Sequence, residues 1–223
     1  PVRPQYQNLR YPPPVPANVP NYENGLLGMV PLTRVRQVTQ DSPNRNVIQA
    51  GDVIVRFAHL TAPRRADLMR EAVNRPRQTV AMEVLRDGTR KRFDVTLNGQ
   101  GKIGIALEYY WNAAIIAQPM NTISEPTEDG LTLQSRPTAV QPLDLRGLTE
   151  VVAVNDTQIS DWASLREALR MHTTPAASRN AAAIVDLTVV HPTPGHEEQT
   201  FALELGKQDV QSLHDLAWEP ELP

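Results

Sequence analysis

Apolar and polar residues alternate in short runs along this chain, and twice the spacing switches to a helical one. Residues 29–38 predict a strand, with Val35 and Val38 apolar among Arg34, Arg36 and Gln37. Val53-Ile54-Val55-Arg56-Phe57 is a β-branched run closed by a loop at Ala58–Thr61. From Pro63 to Asn74 the period lengthens, placing Leu68, Met69, Ala72 and Val73 on one side of a helix whose first turn suits Pro63. Two further runs, 79–85 and 90–97, flank Asp87-Gly88, a strong hairpin turn, and Phe93, Val95 and Leu97 alternate behind it.

The same order then recurs. Gly101-Lys102-Ile103-Gly104-Ile105 repeats the form of Gly25-Leu26-Leu27-Gly28-Met29, and Val151–Asn155 answers Ile54–Ala58. A helix over 161–171, carrying Leu165, Ala168 and Leu169, answers the first one, and Phe57–Leu68 and Val154–Leu165 are both eleven residues apart. A second hairpin pairs 183–190 with 199–205 across Pro192-Thr193-Pro194-Gly195. Gly28 and Asp52 are 24 residues apart, whereas Gly104 and its counterpart Thr149 are 45 apart, so the second copy carries about 21 extra residues near 109–136, expected as a surface loop or extra hairpin. The pattern predicts an α+β protein with a first unit at 25–98 and a second, diverged unit at 99–206. Residues 1–24 hold seven prolines and read as an extended arm. In the tail, 207–223, Val210, Leu213, Leu216 and Ala217 have helical spacing; this is read as a docking helix or as a lead toward a bilayer surface with Trp218 at the interface.

Composition narrows the chemistry. Net charge is -3, so no global charge calls for nucleic acid, yet residues 1–97 carry 15 Arg+Lys against 8 Asp+Glu and the remainder 7 against 17. That asymmetry can steer an anionic ligand to the first half or the halves to each other. The absence of cysteine excludes thiol catalysis, disulfides and thiolate metal sites. No apolar run reaches the roughly 18–20 residues that span a bilayer. Pro1-Val2-Arg3-Pro4 has neither initiator Met nor apolar signal segment, which reads as an excised segment of something longer. His59, His172, His191, His196 and His214 lack zinc-peptidase spacing, Ser42 and Ser160 lack a nucleophile context, and Trp111, Trp162 and Trp218 read as packing residues.

Several blocks in order carry a family resemblance: Leu27-Gly28-Met29-Val30, Asp41-Ser42-Pro43, Gly51-Asp52-Val53-Ile54, Ala66-Asp67-Leu68 and Arg86-Asp87-Gly88. Residues 25–97 resemble a bacterial PDZ domain, departing at Asn44, where Ala is usual, and at Asn46-Val47-Ile48. Residues 101–205 resemble it less closely, with Leu148-Thr149 where Gly-Asp is expected. Two such domains in tandem look like the periplasmic region of site-2-protease-like membrane zinc metallopeptidases (the RseP type), with a PDZ pair of an HtrA-like serine protease as the nearest rival and a free-standing scaffold as a third reading.

The resemblance implies two tandem PDZ-like domains, each a small partly open β-barrel or sandwich capped by helices. It implies a substrate-screening, non-catalytic region on the periplasmic side of a bacterial inner-membrane protein. Its partners would be extended segments or C-termini of substrate proteins and the membrane-embedded protease part of the same polypeptide, with no nucleic acid. No cofactor is expected in this chain; zinc would belong to the catalytic part. In such a groove a Gly-opened loop brings backbone N–H groups onto a terminal carboxylate, and an extended peptide adds as a strand. Gly28 and Gly104 are the candidates for that loop, with Leu27, Met29, Val30, Ile103 and Ile105 forming its apolar pocket. Ala66, Arg70 and Val73, on one stripe of the first helix, are expected to form the other wall.

Overall fold

The computed structural model describes residues 25–126, 133–192 and 197–214. The proline-rich arm, the tip of the inserted segment, residues 193–196 of the second hairpin turn, and Leu216, Ala217 and Trp218 lie outside them.

The first unit is built from β1 (Thr33–Val38), β2 (Val53–Phe57), β3 (Leu60–Thr61), α1 (Arg65–Val73), β4 (Thr79–Arg86), β5 (Thr89–Thr96) and β6 (Ile105–Tyr109). Its main sheet runs β5-β4-β2-β1-β6, with β3 attached to β2. The hairpin expected around Asp87-Gly88 is β4–β5, in register from Thr79↔Thr96 to Arg86↔Thr89. Leu68 and Ala72 of α1 cover a core of Val35, Ile54, Phe57, Met82, Val84 and Val95. The inserted segment contains a two-stranded ribbon, β7 (Thr122–Pro126) with β8 (Leu133–Pro137). In the second unit β9 (Glu150–Val154), β10 (Thr157–Gln158), β11 (Ala183–Val190) and β12 (Glu198–Leu205) form a sheet of order β10-β9-β11-β12. Helices α2 (Trp162–Ala177) and α3 (Lys207–His214) pack on it and on each other. Among the described residues the α-helices are these three. Both sheets are open; neither closes into the barrel that the resemblance implies.

Helix α2 runs six residues beyond the expected Met171, because the apolar stripe continues. Thr173 and Ala176 are buried, Thr173 donates its hydroxyl to the Leu169 carbonyl, and Pro175 sits in the last turn. At the other end Asp161 and Ser164 form a reciprocal capping box.

The two glycine segments cross over. Residues Leu26, Leu27 and Met29 pack with Trp162, Leu165 and Leu169 in the second unit's core. The backbone there pairs with the strand-like stretch 114–120: Ala117 N–H donates to the Val30 carbonyl (2.7 Å) and Met120 N–H to the Gly28 carbonyl (2.8 Å). That stretch pairs on its other side with the second unit, Val151 N–H donating to the Ala114 carbonyl. Conversely Ile103, Ile105 and Leu107 join the first unit's core, and β6 pairs antiparallel with β1 from Thr33↔Tyr109 to Val38↔Ile105. The chain therefore starts in one unit, builds the other, and returns at residues 110–114. A third apolar cluster, Val30, Leu32, Val53, Val55, Ala62, Ala117 and Met120, fills the junction between the units.

The Gly-Asp string does its work as a buried ion pair. Asp52 is fully buried; its carboxylate accepts from the Gln49 N–H (2.9 Å) and from Arg86 Nε and Nη2 (2.6 and 2.7 Å). Arg86 also donates to the Val47 carbonyl, tying the loop before β2 to the end of β4. The Asp52 hydrogen bond holds the guanidinium pKa above its ordinary value. In the second unit Thr149 replaces Asp52 and is equally buried, with His191 Nδ1 3.0 Å from its hydroxyl. Leu148 there adopts φ 72, matching Gly51 at φ 94, so the loop keeps its left-handed turn without glycine.

Removing one partner of a buried pair strands the other charge, so Arg86→Met is expected to lower stability by about 3 kcal/mol, read from urea unfolding. The Ser164 backbone N–H holds the Asp161 carboxyl below its ordinary value of 3.8. A depressed acid contributes stability above its unfolded pKa and loses it as pH falls through the folded one. Asp161→Ala should therefore cost about 1 kcal/mol at neutral pH. Thermal melts taken downward from pH 5 should show the two proteins converging as the carboxylate is protonated.

Candidate functional site

A cavity of about 350 Å³ opens where the C-terminal half of α1 meets the loop between β5 and β6. Met69 and Ala72 form its helical wall, and Gly101, Ile103, Gly104 and Ile105 face them. The loop is preformed. Asn98 Oδ1 accepts from the N–H groups of Gln100 and Lys102, and Gly101 (φ 73) and Gly104 (φ 80) take left-handed turns. A Cβ on Gly101 would come within 2.5 Å of the Ala72 carbonyl oxygen, and one on Gly104 within 2.6 Å of Ser42 Oγ, so glycine is required at both.

Three polar side chains fix which way this loop points its peptide groups. The Ile103 carbonyl accepts from Ser42 Oγ (3.0 Å) and Asn44 Nδ2 (2.8 Å). The Gly104 carbonyl accepts from the Thr39 N–H (2.9 Å) and the Thr39 hydroxyl (3.1 Å). In a planar trans peptide C=O and N–H point in opposite directions. The N–H of Gly104 is thus turned away from Ser42 and Asn44, and that of Ile105 away from β1. Beyond them β6 is the terminal strand of its sheet, an edge with backbone groups open to pairing. The loop and edge together offer convergent N–H donors beside an apolar cavity, which suits a carboxylate followed by an extended chain.

The structure brings Ile103, Gly104 and Ile105 to this cavity but joins them to the first helix, not to the helix that follows them in sequence. Leu27, Gly28, Met29 and Val30 lie elsewhere, buried against the second unit and the junction. There the Met29 N–H, counterpart of the Ile105 N–H, is already bonded to the Leu26 carbonyl (2.9 Å). A Cβ on Gly28 would meet Thr138 Oγ1 at 2.6 Å, so this loop is closed over by the segment after β8.

On α1 the stripe also differs from the expected one. Leu68 and Ala72 are drawn to the core, and this roll presents Met69, 45% exposed, to the cavity. Arg70 is instead turned to solvent and paired with Asp67, and Ala66 is half-buried. Val73 is exposed at the end of the helix beside Gly101. Sequence reasoning missed Thr39, Ser42, Asn44 and Met69. Asn44 was the available signal: a buried amide where the resemblance expects Ala, bonding the Thr96 N–H and carbonyl as well as Ile103.

Among the described residues no group of three or more His, Asp or Glu is placed to hold a metal ion. His59, His172, His191 and His214 each bond a neighbouring side chain, and His196 lies outside the described residues. No helix among the described residues is long and apolar enough to cross a membrane.

The family profile described as PDZ domain matches residues 20–97. Residues 20–97 carry a PDZ domain. The match includes Leu26–Val30, which pack with the other unit, and stops before β6, which completes the domain's sheet. Among solved structures the PDZ domain of the SdrC-like protein from Listeria monocytogenes is similar, at 22% identity and a TM-score of 0.32, over 34% of this chain and 85% of that one. No curated protein matches. PDZ domains generally bind peptide segments or C-termini.

If Asn44 holds the loop, Asn44→Ala should cost about 1–3 kcal/mol by leaving buried partners unsatisfied. Hydrogen exchange should then accelerate through residues 96–104 while β9 and β11 keep their protection.

Proposed function

We propose that this chain binds the free C-terminus of an extended peptide in the groove between β6 and α1, with the carboxylate on the loop at Gly101–Ile105. One observation carries this reading: the Ile103 and Gly104 carbonyls are tied back by Thr39, Ser42 and Asn44, which leaves the adjoining N–H groups aimed at the open edge. A peptide laid antiparallel to β6 gains main-chain hydrogen bonds along that edge and places its last side chain between Met69 and Ala72. The second unit is a diverged PDZ copy whose own glycine loop is closed and whose role is to frame the first. Its strand, helix and hairpin order supports this, as does the match of Leu148 to Gly51 in backbone conformation.

At the level of the parent protein, the tandem pattern supports a substrate-screening region of a membrane zinc protease on the periplasmic side, the zinc lying in a catalytic part outside this chain. A scaffold and a PDZ pair of a serine protease stand on the same footing. The parent reading frame separates them: His-Glu-x-x-His within hydrophobic spans supports the first, and an upstream Ser-His-Asp domain the third.

The groove is tested by fluorescence titration with a matched pair of peptides ending in Val, one with a free carboxylate and one amidated. Charge-assisted hydrogen bonds contribute about 1.5–3 kcal/mol, so the free acid should bind at least about tenfold more tightly. Met69→Glu, placed in the cavity wall, should abolish the difference. Equal binding of acid and amide would refute the carboxylate assignment.

A further inference from the structure

Strand β5 is the edge of the first sheet opposite the groove, and β12 is an edge of the second sheet. Among the described residues each pairs on one side only, with the strand before it, and both are eight residues long. Their charges are opposite. β5 carries Arg90, Lys91 and Arg92 against Asp94, whereas β12 carries Glu198 and Glu204 and no basic residue. All of these are exposed, and none forms an ion pair among the described residues.

The two edges also leave their backbone open at the charged residues. The Thr96 N–H and carbonyl both bond the Asn44 side chain rather than β4. In an antiparallel pair, residues that bond the partner strand alternate with residues whose groups point away. The β4–β5 register is unbroken, so Arg90, Arg92 and Asp94 share the orientation of Thr96 and turn their N–H and C=O groups outward. On β11 the Asp186 carbonyl accepts from the Asn155 N–H (2.7 Å), and the Asp186 N–H donates to Asn155 Oδ1 (2.8 Å). Asp186 thus faces away from β12, and its partner Ala202 faces outward, as do Glu198, Thr200 and Glu204.

Laid antiparallel, the two edges meet in a register that suits backbone and side chains together. Arg90 opposite Glu204 sets outward residue against outward residue and keeps the charged side chains on one face. The same alignment places Phe93 opposite Phe201, each half-buried in its own sheet, and Arg92 diagonal to Glu204. Either edge meeting its own kind brings like charges together, a net +2 against +2 on β5 or -2 against -2 on β12. Charged edges resist pairing with themselves, and here the complementary edge is the partner they admit.

We propose that copies of this chain associate head to tail, β5 of one copy adding to β12 of the next as a continuous antiparallel sheet. The two surfaces differ, so every added copy leaves a free β5 and a free β12, and association extends into chains or closes into rings. The basic first half, 15 Arg+Lys against 8 Asp+Glu in residues 1–97, and the acidic remainder, 7 against 17, orient the encounter. β6 lies at the other end of the first sheet, so this contact is separate from the groove and does not rest on it.

The test is sedimentation velocity of the full chain over a wide range of concentration, at low and at high salt. Wild type should grow with concentration and dissociate as salt screens the edges. Two variants each reverse one edge: Arg90→Glu with Arg92→Glu, and Glu198→Arg with Glu204→Arg. All four positions are exposed, and circular dichroism checks that both variants fold. Each alone should associate at least about tenfold more weakly than wild type. Mixed in equal amounts they should associate again, because each then meets an edge of opposite charge. A wild type that stays a single species at every concentration overturns the proposal. So does a β12 variant that associates as wild type does, which would mean β5 pairs with itself, or a mixture no more associated than its folded components.

Discussion

The second half of this molecule is completed by a segment supplied from far away in sequence, and the first by the strand that follows its own hairpin. Leu26, Leu27 and Met29 are core residues of the unit whose helix begins at Trp162, and Ile103, Ile105 and Leu107 are core residues of the unit whose helix begins at Arg65. Burying each such side chain is worth about 1.5–3 kcal/mol, so neither core is indifferent to the segment it receives. Everything at the candidate site follows from that exchange. It sets β6 beside β1 as an edge, brings Gly101 against the end of α1, and lets Thr39, Ser42 and Asn44 reach the loop carbonyls.

The exchange also makes the two glycine loops unequal despite their similar spelling. At Gly104 the carbonyl is held from β1 and the N–H groups face outward. At Gly28 the carbonyl accepts from Met120, the following N–H turns back to Leu26, and Thr138 closes the space above. One loop is prepared for a ligand; the other is consumed in joining the units. The junction cluster between them, with Ala62 bonded to Gln118 and abutting Gly147, joins the two as a packed interface.

Much of this was legible in the sequence. Val53–Phe57, the helix holding Leu68 and Ala72, and the Asp87-Gly88 hairpin follow from local periodicity and turn chemistry, which act within a few residues. The similar order of elements in the two halves was legible in their shared spacing, Phe57–Leu68 and Val154–Leu165. The pairing of loop with helix was not. Leu27-Gly28-Met29 and Ile103-Gly104-Ile105 are near-synonyms, and either could serve either helix; the choice is made by packing between segments far apart in sequence. The helix stripe was displaced for a related reason. Periodicity gives the apolar side of α1, but its roll is set by which residues Phe57 and Met82 accept from above. Asn44 was visible as an anomaly, and only its three hydrogen bonds, to Thr96 and Ile103, reveal what it does.

The return of the chain to its first unit has a consequence for synthesis. Residues 26–30 leave the ribosome early, yet their place is formed by α2 and by strands reaching Leu205. Until those arrive, Leu26, Leu27 and Met29 and an unpaired backbone edge must wait in water, exposed to other chains. A protein arranged this way gives up the vectorial, unit-by-unit folding that tandem domains otherwise enjoy. In exchange it gains two halves that cannot be separated by cutting between them without depriving the second of core residues Leu26, Leu27 and Met29.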